Sequence, residues 1–333
     1  MRENSMIITV TPNPSIDRTV VLPTELVRGA VHRVSSVSSE PGGKGVNVAR
    51  ALTVAGLDVV AVLPAGEHDP ILAGLRSQGV DFYAVPVAGT VRTNLTITEP
   101  DGTTTKVNEP GAALDAAEAE ALAWAVMQRA RADNWVVLSG SLPPGLPDSW
   151  YSDMTAALKA HGCRVGVDTS DAPLAALAAG LERAAPDLIK PNAEELASLA
   201  GVSAETLETA VARGDTEPVV RAARQLIDRG VSAVLATLGS AGALLVDADG
   251  GWLATPPPIT PRSTVGAGDS SLAGYIRADA EGADAPGRLQ MAVAYGSGAA
   301  ALPGSAMPAP AQLNLDDVVV TQLNLDSQTE GAL

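Results

Sequence analysis

Short runs of β-branched residues alternate with longer stretches rich in alanine and leucine, and this alternation constrains the fold more than any other feature. The predicted elements are, in chain order, the strand 7–10, the helix 46–55, the strand 59–63, the helix 116–132, the strand 135–138, the helix 151–160, the strand 164–167, a helix that closes at 225–229 and the strand 233–236. Alternating strands and helices are typical of a parallel sheet, because parallel neighbours need a crossover connection. The pattern therefore predicts an α/β protein with a mainly parallel central sheet covered by helices.

Two segments, 16–38 and 84–108, do not follow this alternation. Both are rich in valine and threonine, and turns are expected at Gly29 and at Asp101–Gly102. The Asp-Gly pair is a strong hairpin signal, so antiparallel strands are expected here rather than crossover units. Paired with each other, the two segments would form a small sheet outside the main one, where it could cover a site. We expect one domain over 1–333, with this small sheet as a lid, a main body that ends near 310 and a disordered tail at 327–333.

The charge of the chain argues against several classes of partner. A net charge of −16 disfavours nucleic acid and anionic membranes as partners. No apolar stretch reaches the length needed to span a bilayer, and no apolar leader follows the first residues.

The single cysteine, Cys163, forms no intrachain disulfide and is expected to be a small buried residue, which fits a reducing cytoplasm. An acidic protein that binds phosphate groups must concentrate its few cations at one place.

A glycine-rich segment, Thr264–Ser270, is the most informative local motif. Its glycines would allow backbone N–H groups to point into one concavity at the start of a helix, which suits developing negative charge. Asp269 would lie in the first turn, where its carboxylate could accept a proton from an attacking hydroxyl. The alternative is a glycine-rich turn in which Asp269 is an ordinary helix N-cap.

A second motif, Gly42–Gly45, places paired glycines and Lys44 directly before a predicted helix. The glycines allow close backbone approach to a ligand, and Asn47 lies one helical turn further on the face near Lys44. The alternative is a mobile loop with a solvated lysine. The segment is not a P-loop, since Lys44 is followed by glycine rather than serine or threonine. Nor is there a dinucleotide fingerprint, because Ser271 stands where the third glycine should be.

Polar residues follow several predicted strands at the point where each strand ends. In open α/β sheets, ligands collect at the carboxyl ends of the strands. Any one of these residues could be a cap or a turn, but their repetition over successive strands favours a site. They are Asn13, Asp17, Ser139–Ser141, Asp168, Lys190–Asn192 with Glu195, and Thr237–Gly242.

Together these motifs make the chain resemble the ribokinase-like (PfkB-type) sugar kinase family, and most of all its members that phosphorylate fructose 1-phosphate. Six segments occur in the family's order: 9–17, 41–49, 92–94, 138–143, 190–196 and 264–270. The resemblance implies a ribokinase-like fold of three layers, αβα, with a small β-sheet lid. It also implies ATP as the phosphoryl donor and Mg²⁺ as the metal.

The resemblance implies a role for each matching residue. Asp269 would be the general base, and the amides of Gly266, Ala267 and Gly268 would form an anion hole. The sugar phosphate would be held by Asn13, Asp17, Gly42, Gly43, Lys44, Asn47, Arg92 and Ser139. The nucleotide would contact Lys190, Asn192, Thr237, Gly239, Ser240, Gly242 and Gly268. Magnesium would be ordered by Asn192 and Glu195, and more weakly by Asp168, through water.

The implied reaction converts D-fructose 1-phosphate to D-fructose 1,6-bisphosphate in the cytoplasm, in a homodimer joined through the lid. Tagatose 6-phosphate and fructose 6-phosphate remain alternative substrates, because one set of phosphate-binding residues serves all three. A different class of function, a non-catalytic sensor of sugar phosphates, would keep Lys44 and Arg92 but not need Asp269. A coupled assay of ADP release separates these possibilities.

Overall fold

The strands and helices alternate along the chain much as the sequence pattern predicts. The computed structural model describes residues 6–323. The strands are β1 (Ile7–Val10), β2 (Ser15–Val21), β3 (Ser36–Gly42), β4 (Val59–Pro64), β5 (Asp81–Val85), β6 (Arg92–Thr98), β7 (Thr104–Asn108), β8 (Trp135–Ser139), β9 (Arg164–Asp168), β10 (Leu188–Ile189), β11 (Ala233–Thr237), β12 (Ala243–Asp247), β13 (Gly251–Thr255) and β14 (Val319–Gln322). The helices are α1 (Lys44–Val54), α2 (Pro70–Ser77), α3 (Ala116–Arg129), α4 (Trp150–Ala160), α5 (Asp171–Ala179), α6 (Ala193–Ala200), α7 (Ala204–Ala212), α8 (Glu217–Ile227), α9 (Ala267–Ala280) and α10 (Ala285–Ala300).

Ten strands form the central sheet, in the order β14-β13-β12-β11-β10-β9-β8-β1-β4-β5. Neighbours from β11 to β5 pair in parallel, whereas β12, β13 and β14 add antiparallel pairs at one edge. The carboxyl ends of β1, β8, β9, β10 and β11 therefore lie side by side along one edge of the sheet. This is the edge at which ligands bind in open α/β sheets.

Side chains that alternate along each strand build a separate apolar core on each face of the sheet. Ile8 packs with Leu122 of α3 and Tyr151 of α4 on one face. Its neighbour Ile7 packs with Leu52 of α1 and Leu272 of α9 on the other face. Helices thus cover both faces, and the predicted three-layer αβα fold is confirmed.

A second, four-stranded sheet has the order β3-β2-β6-β7. The pairs β2–β3 and β6–β7 are antiparallel, while β2 and β6 run parallel to each other. The β6–β7 hairpin turns at Gly102, which has a φ of 90°, next to Asp101, whose carboxylate accepts a hydrogen bond from the amide of Thr103 at 2.9 Å. The two segments predicted to pair do form this one small sheet.

The start of the second segment was predicted too early. Ala84 and Val85 belong to β5, which pairs in parallel with β4 at the edge of the central sheet. The small sheet resumes only at Arg92. The error has a physical reason: the run 81–85 contains β-forming aromatic residues, and a strand pattern does not say which sheet the strand joins.

The C-terminal part of the chain completes the central sheet. β14 pairs with β13, so the described residues beyond 310 include an edge strand. The predicted disorder of 327–333 lies outside the described residues. Within residues 6–323, none of the helices combines the length and the apolar character that crossing a membrane requires.

Candidate active site

Two lysines converge on one buried carboxylate at the carboxyl edge of the central sheet. Asp168 is the last residue of β9, and its side chain is fully buried. Lys44 Nζ lies 2.8 Å from Asp168 Oδ1, and Lys190 Nζ lies 3.2 Å from Oδ2. Burial alone would raise the pKa of Asp168, but the two ammonium groups hold it below the usual value. The cations that the acidic chain must concentrate are found here.

Lys44 reaches this position because α1 begins at a glycine. Gly43 is the residue before the helix and has a φ of 104°, a conformation that favours glycine. A β-carbon at Gly43 would lie 2.7 Å from the side chain of Thr11. Although burial opposes its charged form, the carboxylates of Asp168 and Asp269 raise the pKa of Lys44 above its usual value. Lys44 is therefore a fixed, charged group, and the alternative of a solvated lysine in a mobile loop is wrong.

Asp269 lies in the first turn of α9, and its carboxylate is buried. The N-cap of α9 is Gly266, with a φ of 78°, so the alternative of Asp269 as an ordinary N-cap is wrong. Instead, Asp269 Oδ2 accepts a hydrogen bond of 2.9 Å from Asn47 Nδ2. Asn47, predicted to face the same site as Lys44, does so through this bond.

The environment of Asp269 raises the pKa of its carboxyl group towards neutral pH. Burial, with a further contribution from the charge of Asp168, raises the pKa of Asp269 to about 6. Lys44, Lys190 and the hydrogen bond from Asn47 oppose that shift. A general base acts best when its pKa lies near the working pH, so this carboxylate is suited to take a proton from a hydroxyl.

The predicted anion hole lies next to the lysines. The amides that open α9 follow the left-handed Gly266, and a helix N-terminus attracts negative charge. A β-carbon at Gly268 would lie 3.2 Å from Lys190 Nζ, so this turn and Lys190 are direct neighbours. Backbone donors, a lysine and a buried carboxylate are thereby brought into one place.

The small sheet contributes a third carboxylate, after those of Asp168 and Asp269. Asp17 in β2 accepts hydrogen bonds from Ser15 Oγ at 2.7 Å and from Asn94 Nδ2 at 3.1 Å. A β-carbon at Gly42 would lie 2.3 Å from the Asp17 carboxyl carbon, so the glycine leaves room for this side chain. Asp17 and Gly42, both predicted site residues, are therefore in contact. Asn94 was part of the matching segment but was not among the predicted site residues.

Arg92 links the small sheet to the central one. Its Nη1 donates to the carbonyl of Glu109 at 3.1 Å, and its Nη2 donates to Ser141 Oγ at 3.3 Å. Asn13 Nδ2 also donates to Ser141 Oγ, at 3.2 Å, and to the carbonyl of Pro110 at 3.0 Å. Asn13 thus holds the surrounding loops through its amide.

Ser141 was among the polar residues predicted to follow β8, but it was not given a role in holding the sugar phosphate. The prediction named Ser139, which ends β8 with a fully buried hydroxyl that has no hydrogen-bond partner among residues 6–323. Gly140, with a φ of 104°, turns the chain between the two serines. Both serines were in the matching segment, and period-2 counting from β8 could not show which would reach Arg92 after this turn.

Several of the predicted nucleotide residues lie near one another where β10 and β11 end. Asn192 and Thr237 form a parallel bridge, and the amide of Thr237 donates to the carbonyl of Pro191 at 2.9 Å. Beyond Thr237, a short turn contains the exposed Gly239 and Ser240. Gly242 closes it with a φ of 103°, and a β-carbon there would lie 1.9 Å from the carbonyl oxygen of Ala254. The turn therefore needs a glycine at this position.

The residues predicted to order magnesium form a helix cap. Asn192 Oδ1 accepts from the amide of Glu195, and Glu195 Oε2 accepts from the amide of Asn192, both at 2.8 Å. One oxygen of Glu195 remains outside this capping box, whereas both oxygens of Asp168 face lysines. Among residues 6–323 no three acidic, histidine or cysteine side chains form a metal-binding group. The donor set fits Mg²⁺ ordered by Glu195 through water, since Mg²⁺ keeps several waters and binds few carboxylates.

The chain is similar in sequence and in fold to known carbohydrate kinases. A family model described as pfkB family carbohydrate kinase matches residues 10–312. A 1-phosphofructokinase of Xanthomonas campestris pv. campestris is 41% identical over 81% of this chain and 83% of its own length. A 1-phosphofructokinase of Rhodobacter capsulatus is 36% identical over 92% of this chain and 94% of its own. The crystal structure of phosphofructokinase-2 from Escherichia coli in complex with substrates and products has a TM-score of 0.84 at 31% identity, covering 92% of this chain and 96% of that one.

Proposed function

Because the chain belongs to the pfkB family of carbohydrate kinases, we propose that it transfers the γ-phosphoryl group of ATP to D-fructose 1-phosphate. The products are D-fructose 1,6-bisphosphate and ADP. Curated relatives named 1-phosphofructokinase cover most of the chain and support this substrate. The observation that carries the proposal is the buried carboxylate of Asp269, with a pKa raised to about 6, at a helix N-terminus beside two lysines.

In the proposed mechanism, the C6 hydroxyl oxygen of the sugar attacks the γ-phosphorus of ATP. The bond from that phosphorus to the β–γ bridging oxygen breaks, and the hydroxyl proton passes to Asp269. Phosphoryl transfer needs alignment and charge neutralisation more than covalent help from the protein. The amides of Gly266, Ala267 and Gly268, with Lys44 and Lys190, supply positive charge where the transferring group would lie.

The sugar phosphate is proposed to bind between the two sheets. Arg92 offers a planar donor suited to phosphate, and Lys44 offers a point charge. Asp17, above Gly42 and Gly43, would accept hydrogen bonds from sugar hydroxyls. Asn47 is near enough to Asp269 to contact the same hydroxyl, and Ser141 joins Arg92 on the phosphate side. Asn13 and Ser139 support these groups from behind.

The nucleotide is proposed to lie across Lys190, Asn192 and the turn from Thr237 to Gly242. Thr237, Gly239 and Ser240 place backbone and hydroxyl groups at the end of β11, where a nucleotide would reach the anion hole at Gly268. Glu195 and Asn192 would hold Mg²⁺ through water, and the ion would neutralise charge on the ATP phosphates. Asp168, held by two lysines, would act on the phosphates through those lysines rather than as a metal ligand.

We further propose that the small sheet closes over the sugar as a lid and excludes water that would otherwise hydrolyse ATP. The lid exposes several valines, including Val31, whose exposed fraction is 89%. Several exposed apolar residues in one short segment favour a contact surface, and a second copy of the chain is the proposed occupant. The charged substrates do not cross bilayers unaided, so the enzyme is proposed to act in the cytoplasm.

A coupled assay of ADP release tests the proposed reaction with fructose 1-phosphate, fructose 6-phosphate and tagatose 6-phosphate. We expect the highest kcat/KM with fructose 1-phosphate. A preference for either 6-phosphate would keep the kinase but replace its substrate, and the likeness to phosphofructokinase-2 makes fructose 6-phosphate the first alternative. Binding of all three without turnover would favour a non-catalytic sensor.

A further inference from the structure

Arg50 is a buried cation of α1 that none of the proposed catalytic steps uses. Its guanidinium donates in three directions. Nε donates to Gln78 Oε1 at 2.6 Å, and Nη2 donates to Glu40 Oε2 at 3.2 Å. Nη1 donates to Asn47 Oδ1 and to the carbonyl of Pro41, each at 3.2 Å. A buried arginine with this many donors in use is fixed in one orientation.

The bond from Arg50 determines which way the amide of Asn47 points. A guanidinium donates hydrogen bonds and accepts none, so it must meet the oxygen of the amide and not its nitrogen. The nitrogen is then directed to the opposite side, where it donates to Asp269 Oδ2 at 2.9 Å. If the amide turned over, its oxygen would face the carboxylate and its nitrogen would face the guanidinium. Both contacts would be repulsive.

The amide of Asn47 is one of several groups that act on Asp269. Asp168 at the end of β9 raises the pKa of Asp269, in addition to burial. Lys44 of α1 and Lys190 after β10 lower it, as does the hydrogen bond from Asn47. Near Arg50 itself, the facing charges are those of Glu40 and Asp17. Asn47 is thus the one neutral donor in the set, and its contribution depends on its orientation.

We infer that Arg50 is a positioning residue that orients the amide of Asn47 toward Asp269 and ties the base to the end of lid strand β3. The tie to β3 runs through Glu40 and through the carbonyl of Pro41, both bound by the same guanidinium. Gln78, at the end of α2, closes the arrangement by donating to Glu40 Oε2 at 2.6 Å. The inference rests on the proposed role of Asp269 as the base.

The experiment is a pH profile of kcat from pH 5 to 9, at saturating ATP and fructose 1-phosphate, for the full chain and for Arg50→Met. Without the guanidinium, the amide is no longer held and the ionised form of Asp269 loses a donor. A hydrogen bond to a charged group is stronger than one between neutral groups, so its loss should move the acidic limb up by about one pH unit. At pH 5 kcat should fall roughly tenfold and at pH 6 roughly fivefold, whereas at pH 8.5 it should stay within about threefold of the unmodified enzyme. KM for ATP should change by less than about threefold, because neither Arg50 nor Asn47 is placed on the nucleotide.

Three further variants separate the inference from a general loss of structure. Arg50→Lys keeps a buried cation, but its single nitrogen cannot reproduce the planar fork that meets Asn47, Glu40 and Gln78. It should shift the limb in the same direction by less, and it also serves if Arg50→Met does not fold. In an Asn47→Ala background, Arg50→Lys should cause no further shift, since the two residues act through one bond. Arg221→Met removes an exposed arginine of α8 and should leave the limb in place.

Two results would overturn the inference. One is a loss of kcat that is equal at all pH values, which indicates a structural role. The other is a shift of the limb by Arg50→Lys that persists in the Asn47→Ala background. Full activity in Asp269→Asn would instead remove the proposed base, so the two failures are distinguishable.

Discussion

The pKa of the Asp269 carboxylate is set by burial, by a neighbouring carboxylate and by two lysines. We expect Asp269→Asn to lower kcat by about 10²–10⁴-fold, the usual cost of losing a positioned general base. The asparagine has nearly the same shape, so KM for both substrates should change little. ADP release under saturating conditions measures the loss. A variant that kept more than about a tenth of kcat would show that the hydroxyl loses its proton to another group.

The same substitution should make the protein more stable at neutral pH. The pKa of Asp269 is about 6 in the folded state, above the value of 3.8 that an aspartate has in an unfolded chain, so the folded state binds the proton more tightly. The penalty for keeping the buried carboxylate ionised is absent below pH 3.8, develops as the pH rises and is complete above pH 6. At about 1.4 kcal/mol per pKa unit, Asp269→Asn should gain roughly 2–3 kcal/mol at pH 7.5 and almost nothing at pH 4.

Thermal unfolding of both proteins at pH 4, 5, 6 and 7.5 checks this prediction. The difference in Tm should grow with pH between the two pKa values and then level off. A constant difference across the series would mean that the ionised carboxylate is not destabilising. Stability gained at the expense of activity is expected where a charged group is buried for function.

At the scale of elements, two helices begin with the same N-terminal motif, a capping box, but lie in different parts of the molecule. α6 starts at the capping box of Asn192 and Glu195, and α3 starts at the capping box of Asp115 and Glu118. Loss of an N-cap side chain costs about 0.5–2 kcal/mol. We therefore expect Asn192→Ala and Asp115→Ala to lower Tm by similar amounts in thermal unfolding.

The two caps should differ in catalysis. Asn192 is placed in the proposed nucleotide and magnesium site, whereas Asp115 caps a helix of the body. Asn192→Ala should raise KM for Mg-ATP several-fold, and Asp115→Ala should leave it unchanged. Equal KM values in the two variants would indicate that Asn192 acts as a cap alone. Titration with Mg²⁺ would show whether the metal requirement also rises.

The elements that the sequence predicted well are those with a strong local signal. The strand Ile7–Val10 was predicted without error, and the start of α3 coincides with the predicted 116, because apolar periodicity and a capping residue define it. The antiparallel strands β12 and β13 and the helix α10 were not predicted. The run 285–300 is rich in alanine and glycine, which gives little contrast between its faces.

The site was predictable to the extent that its residues lie at strand ends or in short motifs. Asp269, Lys44 and Lys190 were expected at one place, and the structure brings them together around Asp168. The bond between Asn47 and Asp269 joins residues that are 222 positions apart, and no local pattern encodes it. Local sequence also does not show that Ser141 is the serine that contacts Arg92, because the chain turns at Gly140 between Ser139 and Ser141.

At the scale of the whole molecule, the lid is a small part of the chain that carries several exposed large apolar residues. Besides Val31, the exposed fractions of Val27 and Val107 are 57% and 55%. The lid sheet ends in two edge strands, β3 and β7, which leave backbone groups that another copy can bind. A dimer through the lid would cover both features at once. The much larger main body exposes a few such residues, among them Trp124 and Val319, and buries most of its apolar residues in two cores.

Replacing Val31 by aspartate should therefore break the proposed dimer. An unpaired charge in an apolar contact costs several kcal/mol, so association should weaken by at least about tenfold. Val319→Asp makes the same change at an exposed position of β14, at the far edge of the central sheet, and is the matched control. Sedimentation at micromolar concentration should give a dimer for the unmodified chain and the control, and a monomer for Val31→Asp.

If the lid needs its partner to close, the monomer should also release ADP from ATP without sugar phosphate, because water then reaches the γ-phosphorus. A monomeric unmodified chain with tight coupling of ADP release to sugar phosphorylation would show instead that the lid closes alone.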